Sequence, residues 1–197
     1  MADGQIAPSR MSPIRFDWQM VEALATQQII QAVTNVHQQH PHEQIYGALF
    51  FGFYGDGSAA YWPSVAVGTE QSLNTLVERY RVAENTTTHK INKLTASLRW
   101  SGPDLIYSAE PSTAEAACAD AFTAVASQTQ DFDEWEQLYN LFLACFPRAA
   151  KCASESLMHA ALVSPDFIAI AADEAEELIA LSLSPAQLQR HFPKHGS

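Results

Sequence analysis

The densest group of metal-capable side chains is His37, His40 and His42 beside Glu43. His37 and His40 stand three apart, so on a helix they present two imidazoles to one side. Two such ligands with His42 nearby would suit a divalent cation, but no zinc spacing is matched. The plainer reading is a polar helix end, where imidazoles complement the dipole. No metal and no other cofactor is expected.

Other combinations carry less chemistry. Gly52, Gly55 and Gly57 suggest a phosphate loop, yet no Lys-Ser/Thr follows and the next element reads as a strand. A turn fits better, because phosphate is bound at a helix N-terminus. Cys152 and His159 are seven apart, about 10 Å along a helix, which is beyond the reach of thiolate activation. Arg99-Trp100 is a candidate stacking pair at a ligand site, and Tyr61-Trp62 before Pro63 is a second aromatic candidate. Against both stands the bland alternative of aromatic anchors buried in the core beside a snorkelling arginine. Acidic side chains crowd two stretches, 131–136 and Asp173, Glu174, Glu176 and Glu177. Such runs are ordinarily solvated surface, and they are also the best candidates for a face that meets a basic protein. The chain contains no G-x-S-x-G, H-E-x-x-H or C-x-x-C, and no carboxylate pair stands out as an acid/base couple.

Composition narrows the classes. Eleven Lys and Arg face 22 Asp and Glu in 197 residues, a net charge of −11. A surface of that sign repels phosphate backbones, so nucleic acid is not an expected partner. The content is 47% hydrophobic, which argues for a packed core and against disorder. Three cysteines, Cys118, Cys145 and Cys152, lie in apolar helical contexts and read as buried free thiols in a reducing compartment. Residues 1–16 read as a flexible leader without the apolar core of a signal peptide. The longest apolar run, 45–54, is half of what a membrane helix needs. The expected location is the cytoplasm, with no membrane association, and the sequon at Asn85 would then go unused.

Residues 17–193 read as one domain whose elements must position these side chains. Val21, Ala25, Ile29, Val33 and Val36 mark one face of a long helix capped by Asp17. Residues 45–54 are apolar at both parities, as expected of a strand covered on both faces. A turn at Gly55-Asp56-Gly57 leads to a second strand over 59–67, with Pro63 placing it near an edge or bulge. Thr69 caps a helix with Leu73, Leu76, Val77 and Tyr80 inward. Residues 83–93 read as a loop, 94–100 as a strand, and 105–110 as a short extended segment. Ser112-x-x-Glu115 is a capping box. Asp131 or Asp133 caps a helix that Pro147 kinks or restarts. Residues 166–173 and 178–184 read as a second hairpin, and 185–192 as a terminal helix. The expected fold is α+β, a mostly antiparallel sheet of about 4–6 strands covered by about 5–6 helices.

Four stretches also carry a likeness. They are IYGALFFGFY at 45–54, GTEQSL at 68–73, LRWS at 98–101 and DFIAIAAD at 166–173. In order and spacing the chain resembles an uncharacterised bacterial family, a domain of unknown function, over about residues 18–185. That family shares a strand of the type FYAF-LY, a helix opening NTEE-L, a mid-chain Arg-Trp and a late dfvvf-sD strand. Gly68 stands where the family usually has Asn, so any role of that side chain is missing here. The resemblance implies no reaction. Proteins of similar size and acidity that neutralise bacterial toxins offer an analogy only.

Two functions follow as expectations. One is a non-catalytic protein-binding module, an immunity-type inhibitor of a basic protein or toxin, working through its acidic segments. The alternative is a small-ligand binder or enzyme, with a pocket near the 45–67 hairpin where Arg99, Trp100, Tyr61 and His42 converge.

Overall fold

A computed structural model describes residues 16–84 and 88–194. The expected leader and the sequon at Asn85 fall outside the described residues, apart from Phe16. In chain order the elements are α1 (Trp18–Gln39), β1 (Ile45–Phe51), β2 (Tyr54–Gly55), β3 (Ala60–Tyr61), β4 (Ser64–Thr69), α2 (Glu70–Glu84) and α3 (Thr88–Leu98). A 3-10 turn (Gly102–Asp104) leads to β5 (Tyr107–Ala109), α4 (Thr113–Ala126), α5 (Phe132–His159), β6 (Ile168–Ala171), α6 (Glu177–Ser182) and α7 (Pro185–His191).

The main sheet has the order β5-β4-β1-β6, and β2 with β3 forms a separate two-stranded ribbon. β1 pairs antiparallel with β4 and β4 with β5, but β1 pairs parallel with β6. The sheet is therefore mixed, and smaller than the mostly antiparallel one expected. The parallel pair exists because the chain leaves β4, builds four helices and returns through α5 before adding β6. A connection of that length permits parallel pairing, whereas a hairpin forbids it.

β1 is the central strand, and Ile45 to Phe50 are all buried. Ala48 and Phe50 face a layer made by α1, α4 and α5, where Phe50 meets Phe146 at a ring separation of 5.2 Å. Leu49 faces the other way, onto Ile179 of α6 and Leu183. Each face thus removes large side chains from water, and each buried Phe or Leu contributes about 1.5–3 kcal/mol.

Several helix ends form as their residues dictate. Asp17 accepts from the Met20 N–H at 3.0 Å, and Asp131 rather than Asp133 caps α5, accepting from the Glu134 N–H at 2.9 Å. Ser112 and Glu115 make the reciprocal capping box. Thr69 caps α2, its hydroxyl accepting from the Ser72 N–H at 3.0 Å.

Four expectations are corrected. The segment 94–100 is not a strand: α3 begins at Thr88, inside the supposed loop, and runs to Leu98. Ile91, Leu94 and Leu98 fall on one helical face and pack against Leu73 and Leu76 of α2. The segment 178–184 is not a strand either, so there is no second hairpin. Leu178, Ile179 and Ser182 are buried in α6 while Leu181 points to water, a helical rather than alternating pattern. Helix α5 does not restart at Pro147 but continues through it to His159. The first strand of the hairpin stops at Phe51, because Gly52 takes a φ of +75° and hands the chain to the ribbon.

The outer edge of β6 is closed by side chains. The Ala169 N–H donates to the Ser154 hydroxyl of α5 at 2.8 Å, and the Ala171 N–H to the Ser182 hydroxyl of α6 at 2.9 Å. These two serines supply the acceptors that a further strand would have supplied.

Candidate functional site

Two ends of the sheet differ in chemistry, and the direction of α5 decides which residues each receives. Because α5 returns antiparallel to β6, its first turns stand at the carboxyl ends of β1 and β6. Asp133 and Glu136 are exposed there. Beyond β6, the Ala172 N–H donates to the Phe50 carbonyl at 3.0 Å and the chain turns through Asp173 to Glu177. The Asp173 carboxylate fixes that turn by accepting from the Leu178 N–H at 2.9 Å. Glu176 sits in the left-handed region with φ 59°, and Glu174, Glu176 and Glu177 face solvent.

Tyr139 stands on α5 one turn past the first acidic segment and feels the charge of the second. Burial, and then the charge of Asp173, push the Tyr139 phenol up to about 12. Tyr139 is also the floor of the ribbon: a Cβ on Gly55 would come 2.6 Å from its ring and 2.9 Å from that of Trp135. The ribbon turn completes the group. Asp56 accepts from the Ser58 hydroxyl and from the N–H groups of Ser58 and Ala59, which holds its carboxyl below the usual carboxylate range. Nine of the chain's 22 carboxylic side chains (one in the ribbon, four in 131–136, four in 173–177) therefore gather at one end.

Exposed aromatic surface gathers there too. Tyr54 and Tyr61 are paired in register across the ribbon, their ring centroids 5.5 Å apart. They are 55% and 56% exposed, and Phe132 at the start of α5 is 59% exposed. Among the described residues these are the three aromatic side chains left more than half open.

The remaining candidate residues are structural or lie elsewhere. Trp62 is buried, and its indole N–H donates to the Gln28 side-chain carbonyl at 2.8 Å. Arg99 forms a two-pronged ion pair with Glu70, both contacts 2.8 Å, and its guanidinium lies 4.3 Å from the Tyr46 ring centre. Trp100 packs between Tyr46 and Phe192, each 5.5 Å away by ring centroid. Glu70 follows the last residue of β4, and Thr69 pairs with Ile45, so this group sits at the amino end of β1. Tyr61 precedes β4, at the other end. The structure does not bring Tyr61 together with Arg99 and Trp100.

The histidines divide similarly. The His40 ring lies 4.6 Å from that of Tyr107, and its Nδ1 is 3.9 Å from Glu43. Glu43 accepts from the Tyr107 hydroxyl at 2.6 Å and, closely, from the Thr69 hydroxyl. Burial followed by this carboxylate pushes the Tyr107 phenol up to about 12. His42 is exposed, and no group of three His, Cys, Asp or Glu able to hold a metal ion occurs among the described residues. Sequence reasoning missed the Glu43–Thr69–Tyr107 network, since residues so far apart leave no spacing to read.

Two shallow hollows lie away from the acidic end. One of about 260 Å³ separates α1 from β5 and is lined by Asn35, Val36, Gln39 and Tyr107. Another of about 360 Å³ borders the Glu22–Arg148 ion pair and Cys152. Both are near or below the smallest volumes of ordinary ligand sites. Cys152 is exposed, which corrects the expectation of three buried thiols. Cys118 and Cys145 are buried, and burial raises both thiols, Cys145 to about 11, so neither is a nucleophile at neutral pH. Among the described residues no helix is long and apolar enough to cross a membrane. Comparison of the chain with protein-family models, curated proteins and solved structures returns no match.

Proposed function

We propose that this chain is a non-catalytic protein-binding module whose acidic end receives a basic protein, as an immunity-type inhibitor receives a toxin. The observation that supports it is the meeting of the ribbon turn with the start of α5, where Gly55 lies on Tyr139 and Gly57 on Phe132, while the charge of Asp173 reaches Tyr139 from the turn after β6. Charge of one sign concentrated on one surface raises the association rate of an oppositely charged partner and rejects partners of like charge. The likeness to an uncharacterised bacterial family belongs to the same proposal and adds no reaction to it. The small-ligand reading has less support, because Arg99 is committed to Glu70 and Trp100 to packing.

The test compares the unaltered chain with one carrying Asp133→Asn, Glu136→Gln, Glu174→Gln and Glu177→Gln. Each is used to capture proteins from native lysate at low and at moderate salt. The expected outcome is a basic protein retained by the unaltered chain at low salt, and lost on neutralisation. A partner retained equally by both chains would refute the assignment of the acidic end.

A further inference from the structure

Resting on that reading, we propose that the partner is gripped by a lysine or arginine side chain laid on the Tyr54–Tyr61 pair. Of the ten Phe, six Tyr and four Trp in the chain, the three that stay more than half open, Tyr54, Tyr61 and Phe132, meet at the ribbon. A Cβ on Gly57 at the ribbon turn would sit 3.3 Å from Phe132. Open aromatic rings with no core to fill are what the centres of protein interfaces are made of.

The ribbon is also built to hold still. Its inner face is Gly55 against Tyr139 and Trp135, and the Ala60 N–H donates to the Thr123 hydroxyl of α4 at 3.0 Å. Asp56 locks the turn with three hydrogen bonds. Two rings on a fixed support need little ordering when a ligand arrives, which favours tight contact.

Charge selects the occupant. Residues 70–99 carry five basic and three acidic side chains, a net +2, so the rest of the chain carries −13 of the total −11. At the ribbon itself the turn carries Asp56, and Phe132, flanked in sequence by Asp131 and Asp133, lies against Gly57 of that turn. An apolar partner seated on these rings would strip water from carboxylates and give nothing back. A cation over the ring faces gains from the aromatic quadrupole and from the surrounding carboxylates together. The two contributions separate kinetically: the carboxylates act on association and its salt dependence, the rings on dissociation.

The probe is acetylated, amidated octa-arginine, titrated into the full chain at low salt while the ring protons of Tyr54 and Tyr61 are followed by NMR. Saturable binding that shifts both rings is expected. The double variant Tyr54→Leu/Tyr61→Leu should weaken it by about tenfold, whereas Tyr54→Phe/Tyr61→Phe should stay within about twofold. Both tyrosines are open, and a thermal melt of each variant confirms that the fold is kept. If the leucine variant binds as the unaltered chain does while the four-site neutralised chain does not, the tyrosine grip is overturned and the acidic end survives. If octa-arginine fails to saturate, or binds the unaltered and the four-site neutralised chain alike, the acidic end and the grip fall together. Concentration-dependent self-association abolished by the leucine variant would make the occupant a second copy of this chain, and would also overturn the proposal.

Discussion

Gln28 stands on α1 with 6% of its surface open, and its amide serves two buried groups at once. Its carbonyl accepts from the Trp62 indole N–H at 2.8 Å, and its NH2 donates to the Pro63 carbonyl at 3.2 Å. Gln28→Leu keeps nearly the same volume, so no cavity opens, but both partners are orphaned. Each orphan costs about 1–3 kcal/mol. The apolar replacement returns about 1 kcal/mol of that through burial. The net expected loss is about 1–5 kcal/mol, or a fall in Tm of about 2–20 °C for a chain of this size. Urea unfolding followed by circular dichroism measures it, with an unchanged m-value as the sign that only stability has moved. Trp62→Phe supplies the cross-check. Made alone, it orphans the Gln28 carbonyl; made in the Gln28→Leu chain, it removes the stranded indole donor. The double variant should therefore lose about 1–2 kcal/mol less than the two single losses added together. Strict additivity, or a Gln28→Leu loss below about 0.5 kcal/mol, would refute the account of Trp62 as a core anchor whose polar edge is satisfied from α1.

Other consequences are open to measurement. A Cβ on Gly68 would lie 2.2 Å from the Tyr46 ring, whose hydroxyl is tied to the Arg99 carbonyl at 2.7 Å; Gly68→Ala should cost about 1–3 kcal/mol in urea unfolding, and Tyr46→Leu in the same chain should recover part of it. Ser182→Ala strands the Ala171 N–H at the closed edge of β6; hydrogen exchange at that amide should accelerate and stability fall by about 1–3 kcal/mol, while Ser127→Ala on the surface should stay within about 0.5 kcal/mol. The Cys145 thiol is held above its ordinary 9.0, and the Tyr107 and Tyr139 phenols above 10.0. Above these ordinary values the unfolded chain releases protons that the folded chain keeps, so stability should fall as pH rises from about 9 toward 12. A urea midpoint that stays level up to pH 11, or a Tyr139→Phe variant whose decline is no gentler, would contradict that.

The fold was legible where a residue's neighbours in sequence are also its neighbours in space. The 3.6-residue stripe of α1, the caps at Asp17, Ser112 and Asp131, and the two-sided burial of β1 all come from that short range. Short segments mislead for the same reason. Residues 94–100 and 178–184 hold too few apolar positions to separate a period of 3.6 from a period of 2. Their packing against α2 and against β6 and α5 settles them as α3 and α6. Of the candidate site, the acidic segments were visible as composition, but not their meeting point. Trp62 and Arg99 were visible as residue types, but not their commitments to Gln28 and Glu70. The open pair Tyr54–Tyr61 left one trace, the tyrosines that flank a Gly-rich turn.

What the sequence determined by itself is which surfaces must be hidden, a strand apolar on both faces and one side of several helices, and which must stay in water, a large excess of negative charge. Pattern and charge are properties of the residues, and they are present before any contact forms. Which surfaces meet was decided only in three dimensions. The parallel union of β1 with β6 joins residues more than a hundred positions apart, and the return path of α5 carries 131–136 to the same end as 173–177. The free energy of such a meeting belongs to the fit between two segments and is written in neither of them alone.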